Sequence, residues 1–260
     1  MASPHHESEQ PFRFPEARVV APGAPWTWLA RAWDDLRWAP GASLFYGAAF
    51  AAMGWLMSLA VGRGEYLLAL TTGFLLMAPF LAVGLYDLSR RRERGEAPRL
   101  APTLTAWRGN APALGLYAVI LALLLAAWIR VSVVVVALFF TGGMPDLGHL
   151  PRELLGNPEG LVFVAAYLAA GLGFALLVFA TSVVSIPMLL DRDKMDALSA
   201  MIASFNAVRL NRGVMVLWAT AIVAITGLGM ALYFFGLVLA MPLVGHATWH
   251  AYRDAVVSEQ

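Results

Sequence analysis

The chain has no cysteine among its 260 residues, and only 13% of them are charged. The first absence excludes disulfides, thiolate metal sites, iron–sulfur clusters and thioether-linked haem. The second is half of the roughly 25% found in an ordinary soluble chain. Charge of either sign is also nearly balanced, at a net +1, and the basic residues fall between apolar runs, so no nucleic-acid footprint is formed. Phosphate-loop, HExxH and nucleophile-elbow patterns are missing as well. Apolar residues take the place of all these, at 60% of the chain. They cluster into runs long enough to cross a bilayer's hydrocarbon, which needs about 20 helical residues.

The fold class expected is an all-α polytopic membrane protein of six transmembrane helices. The first span runs near Gly41–Val61 and the second near Glu65–Leu88, joined by a tight turn at Gly62–Gly64. The third occupies about Ala113–Phe140 and the fourth about Leu161–Leu190, separated by a Pro- and Gly-rich loop that belongs outside the hydrocarbon. The last apolar stretch, Gly213–Gly245, would reach about 50 Å as one helix. It reads as two spans split near Gly227–Gly229; a single helix, and five spans in all, stays open.

The spans form three hairpins, each preceded by an amphipathic segment. Trp26, Leu29, Trp33 and Leu36 share one helical face before the first, and Met195, Leu198, Ile202, Phe205 and Val208 before the third. The middle copy, Leu100, Leu104 and Trp107, is shorter. These read as interfacial helices in the headgroup layer. Each hairpin also carries a proline near one end, at Pro79, Pro187 and Pro242, followed by a polar exit. The organisation is therefore a disordered cytoplasmic tail over residues 1–25, one membrane domain over 26–254 with repeats at 26–99, 100–194 and 195–254, and a tail over 255–260.

With six spans, 15 Lys and Arg fall on the side holding both termini, against Arg63 and Arg152 on the other. The positive-inside rule then places both termini in the cytoplasm of a bacterial inner membrane. The polar start lacks an apolar region before a small-residue cleavage site, so the first span is expected to act as the insertion signal.

Few groups carry chemistry. Arg130 lies roughly 26 Å up the third span from Ala113, near the boundary of a ~30 Å core, where an arginine snorkels to the headgroups. As a working group it would meet an anionic headgroup, substrate or acidic side chain. His246 and His250 lie at i,i+4, the spacing two imidazoles need to share a metal or serve a haem, with Asp191 and Asp193 in the equivalent place of the preceding repeat. No third ligand is specified. The plainer reading is a helix end, where His and Arg253 complement the dipole and Trp249 and Tyr252 join the aromatic belt. Asp87 completes the polar exits. Gly171, Gly173, Gly227 and Gly229 read as close helix-packing positions.

The stretches AWDDLRWAPGASLFYG, LLMAPFLAVGLYDLSRRRERGE, SVVSIPMLLDRD and MPLVGHATWHAYRD resemble a family of bacterial multi-span proteins classed as a domain of unknown function. The resemblance runs from about Trp26 to Asp254. Some members are labelled cytochrome c oxidase subunit I-like, but a haem–copper core needs several intramembrane histidines. Here only His246 and His250 come near the membrane, with His5, His6 and His149 in the tail and a loop. Together these readings point to a non-catalytic accessory or assembly subunit of a larger respiratory or photosynthetic membrane complex, in contact with the lipid bilayer and with membrane-protein partners. A small-molecule or lipid transporter using Arg130 is the alternative, and haem or metal handling a weaker one.

Overall fold

In the computed structural model the described residues are 15–59, 81–140 and 156–257. Most of the second predicted span, Pro79 and much of the loop after the third span lie outside them. Among the described residues every regular element is helical, apart from one isolated antiparallel bridge between Ala17 and Val256.

Local chemistry sets the boundaries. Helix α1 (Ala24–Trp38) opens with Pro25 in its first turn, and it stops at Ala39, where the following Pro40 disfavours helical backbone. Helix α2 (Pro40–Leu59) follows directly. Helix α3 (81–93) closes on Gly95, whose φ of 69° lets Glu96 N–H donate back to the Arg91 carbonyl. A short turn α4 (Leu100–Thr103) and a 3-10 turn lead into α5 (Ala111–Phe139). Helix α6 (Pro158–Ser182) is capped by Asn157, whose side chain accepts from Gly160 N–H, and Pro187 then confines α7 (Ser185–Asp191) to a separate turn of helix. Asp196 caps α8 (Ala197–Leu210), and α9 (Arg212–Ala231) and α10 (Leu237–Ala255) complete the chain.

Four of these stretches are long and apolar enough to cross a membrane: Pro40–Leu59, Leu100–Phe139, Pro158–Asp191 and Arg212–Ala231. The stretch 213–245 is broken, though at 232–236 rather than at Gly227–Gly229, which stay within α9. Tyr233 and Phe234 make the reversal with φ of 52° and 66°. Gly229 has a different task. A Cβ on Gly236 would stand 2.7 Å from the Gly229 Cα, so the two glycines let the returning helix approach closely.

The amphipathic segments bury one face and expose the other. Helix α1 buries Trp28, Ala32 and Asp35 and leaves Trp26 63% exposed; α8 buries Ala200, Ala203 and Ala207 and turns Leu198, Ile202 and Phe205 outward. In α8 the large apolar residues thus face away from the protein and small ones allow close packing, the arrangement expected where lipid covers the apolar face, whereas α1 turns Trp26 outward but buries Trp28 and Leu36.

Helix α10 packs along both α1 and α2, and α5 pairs mainly with α6. Within the segment expected to be a tail, Arg18 N–H donates to the Ala255 carbonyl at 2.8 Å, Val257 N–H to the Glu16 carbonyl, and Val20 N–H to the Asn211 side chain at 2.8 Å. Residues 16–18 are therefore stitched to residues 255–257, and Val20 to the α8–α9 junction.

Candidate functional site

The hydrogen-bonded cluster of chemical groups lies where α1, α2, α3 and α10 meet. Asp35 comes from the inward face of α1, Ser43 from the first turn of α2, Ser89 and Arg92 from the end of α3, and His246 and His250 from one face of α10. Ser89 Oγ donates to Asp35 Oδ2 at 2.6 Å and lies 2.8 Å from His246 Nδ1. Ser43 Oγ is 2.9 Å from His246 Nε2, His250 Nε2 is 2.8 Å from Asp35 Oδ2, and Arg92 Nη1 donates to Asp35 Oδ1 at 2.7 Å.

Donor arithmetic fixes the direction of this chain. The single hydroxyl proton of Ser89 goes to Asp35, so Ser89 accepts from His246 Nδ1–H. His246 Nε2 then accepts from Ser43. The order serine–histidine–serine–aspartate runs through a fully buried interior, with Ser43 and His246 at 0% exposure. Burial by itself would raise the Asp35 pKa; the His250 hydrogen bond, the nearby His246 and the Ser89 hydroxyl outweigh it and hold the carboxyl at about 2. His246, past the end of the last apolar stretch, is lowered by burial to about 4 despite the Asp35 charge, and stays neutral.

A second ring of charge surrounds this core. Asp87, also buried, accepts from Arg90 and Arg91, and Arg90 reaches on to the Leu190 carbonyl at 2.6 Å. Asp191 accepts from Tyr252 at 2.8 Å and from Arg253 at 3.3 Å. Glu93 joins through Trp249 and Arg253. Asn110 donates to the carbonyls of Leu189, Arg192 and Met195, drawing the middle repeat into the same layer. Asp193 is exposed and stands apart, and Arg130 is exposed on α5, away from both clusters.

With this geometry in place, one family comparison bears on the chain. Residues 67–191 match the model of a family described as "Predicted integral membrane protein (DUF2189)". No curated protein and no solved structure matches. The match and the four long apolar helices agree: this is an integral membrane protein.

The arrangement brings His246 and His250 together, as their spacing required, but onto a carboxylate. Both His246 ring nitrogens are engaged by serines, so ligating a metal or haem iron there would displace one of them. Among the described residues no group of three or more His, Cys, Asp or Glu is arranged to hold a metal ion. Asp35, Ser43, Ser89 and Arg92 were missed as partners. Asp35 carried a signal: it stands on a helix whose opposite face is apolar, and in a membrane protein that opposite face belongs to lipid.

Proposed function

We propose that the chain is a non-catalytic accessory or assembly subunit of a larger membrane complex. The observation that carries this reading is the closure of the cluster. Asp35, Ser43, Ser89, His246 and His250 are all buried and satisfied by one another and by Arg92, so the groups best equipped for chemistry offer nothing to a substrate. Such saturated networks fix one packing arrangement, which is what a scaffold needs.

The same reading includes six crossings with both termini in the cytoplasm of a bacterial inner membrane. Pairing of residues 16–18 with 255–257 supports an even number of complete crossings, because it brings the two ends together. The distribution of basic residues, 15 against 2, supports the cytoplasm as their side. The test is native electrophoresis after mild detergent extraction from the membranes in which the chain is made. A defined complex containing a partner at fixed stoichiometry is expected; a monodisperse single chain overturns the assignment.

A further inference from the structure

Six arginines at the polar end are paired internally, and of the exposed ones without an ion pair among the described residues, which also include Arg18, Arg99 and Arg212, three lie in the amphipathic segments. Arg31, Arg90, Arg91, Arg92, Arg94 and Arg253 each lie against a carboxylate. Arg37, Arg108 and Arg209 are exposed, and among the described residues none of them has an ion-pair partner.

These three share a setting. Each belongs to the amphipathic segment of one repeat, and each stands beside an aromatic residue seven positions after an apolar one: Trp26 to Trp33, Leu100 to Trp107, Leu198 to Phe205. Arg37 lies over the Trp33 ring at 5.1 Å from its centroid and Arg108 over Trp107 at 5.5 Å. Arg209 follows Phe205 by four residues, as Arg37 follows Trp33, so it continues the outward stripe of Leu198, Ile202 and Phe205. Asn110 and Asn211 tie the three segments into one layer, the former at the α7–α8 junction and the latter against residues 18–20.

We propose that these are three stations for the phosphate groups of anionic phospholipids. The apolar stripe enters the boundary between headgroups and acyl chains, which carries the arginine to phosphate depth. At Arg37 and Arg108 an aromatic ring covers one face of the guanidinium and leaves its in-plane N–H groups to grip phosphate oxygens in pairs. The internally paired arginines are held by carboxylates instead, most firmly Arg90 and Arg91 by the buried Asp87 and Arg92 by the buried Asp35. A membrane surface is the occupant that supplies both the apolar cover and the counter-charge.

The experiment uses the full chain in nanodiscs of equal phosphatidylglycerol and phosphatidylcholine, with retained lipid counted by native mass spectrometry after transfer to detergent. Phosphatidylglycerol is expected to be enriched by roughly fivefold per station, the factor an attraction of the usual size for a surface arginine implies. The triple variant R37Q/R108Q/R209Q should fall to the bulk ratio, while Arg31→Gln leaves the enrichment in place. Absence of enrichment, or enrichment that survives the triple variant, overturns the proposal. A second readout is independent of lipid counting. Because the chain lacks cysteine, single spin labels at Ile202→Cys and Ala200→Cys report one site each. The Ile202 label is expected to meet dissolved oxygen in the bilayer and the Ala200 label to be shielded; a water-exposed Ile202 label counts against the proposal.

Discussion

The layer around Asp35 and the packed α5–α6 pair hold together by different physics. In the layer, four helices converge on ionised and hydroxyl groups that are buried and mutually bonded. In the α5–α6 pair, the most apolar window of the Leu100–Phe139 stretch is 0% buried and that of Pro158–Asp191 is 6% buried, against 33% for α2. Its cohesion comes from Trp128 against Tyr167 and Phe174, with centroids at 5.4 and 5.6 Å, from Phe163 against Phe139 and Phe140, and from one hydrogen bond between Ser132 and Tyr167. Lipid tails are as apolar as leucine, so exposing those helices carries little penalty and packing them gains little. A buried carboxylate has no such indifference. The two regions should therefore respond very differently to comparable damage.

The largest difference is expected from Asp35→Ala. Removing this carboxylate strands Arg92 and His250 and takes the acceptor from Ser89. Breaking one partner out of a buried charged network costs about 3–5 kcal/mol. Thermal unfolding in detergent should show this as a large drop in midpoint. A loss under about 1 kcal/mol would mean that solvent already reaches the cluster.

Acidification probes the same layer without mutation. The folded-state pKa of His246, about 4, lies below the usual 6.5, so the unfolded chain binds a proton first as pH falls. Stability is fully present above about 6.5 and declines between there and 4, by on the order of 3 kcal/mol. Asp35 adds a separate loss at lower pH, because its carboxyl, held at about 2, stabilises the fold above the ordinary carboxylate range and gives this up between about 4 and 2. Unfolding midpoints of wild type and His246→Gln between pH 7.5 and 4.5 check the first window. The variant should start lower and vary less; parallel profiles would show that His246 is not the titrating group.

The contrast also explains what could be read from the chain. The helices α5 and α6 were legible because hydrocarbon thickness imposes a length and an apolar composition on each segment taken alone. The cluster was half legible. The i,i+4 spacing of His246 and His250 follows from the helix, but their partners lie on three other elements with more than 150 residues between Ser89 and His246. Asp35 lies off the apolar face of its helix, and spacing alone does not say whether that side meets water or protein. Periodicity fixes which residues share a face, and only the surrounding medium decides which face is buried. The break in the last stretch was misplaced for a related reason: Gly227 and Gly229 have the composition of a turn, whereas Tyr233 and Phe234 adopt a left-handed backbone that aromatic residues seldom take.

Glycine offers the finest version of the comparison, because one methyl group can be added to each region. A Cβ on Gly47 in α2 would stand 2.0 Å from the Val238 carbonyl oxygen of α10, a backbone atom that cannot swing aside. Gly47→Ala must separate the helices, and overpacking of this kind costs about 1–3 kcal/mol. Gly173 in α6 was expected to be a close-packing position, yet a Cβ there meets nothing within 4 Å. Its replacement by alanine removes only backbone freedom and should be neutral or stabilising by up to about 1 kcal/mol. Both variants can be melted in the same detergent, where opposite signs are expected. A destabilised Gly173→Ala would show that a partner or second copy packs on this helix pair, since among the described residues nothing stands in the way of the added methyl. Lipid alone would yield to it.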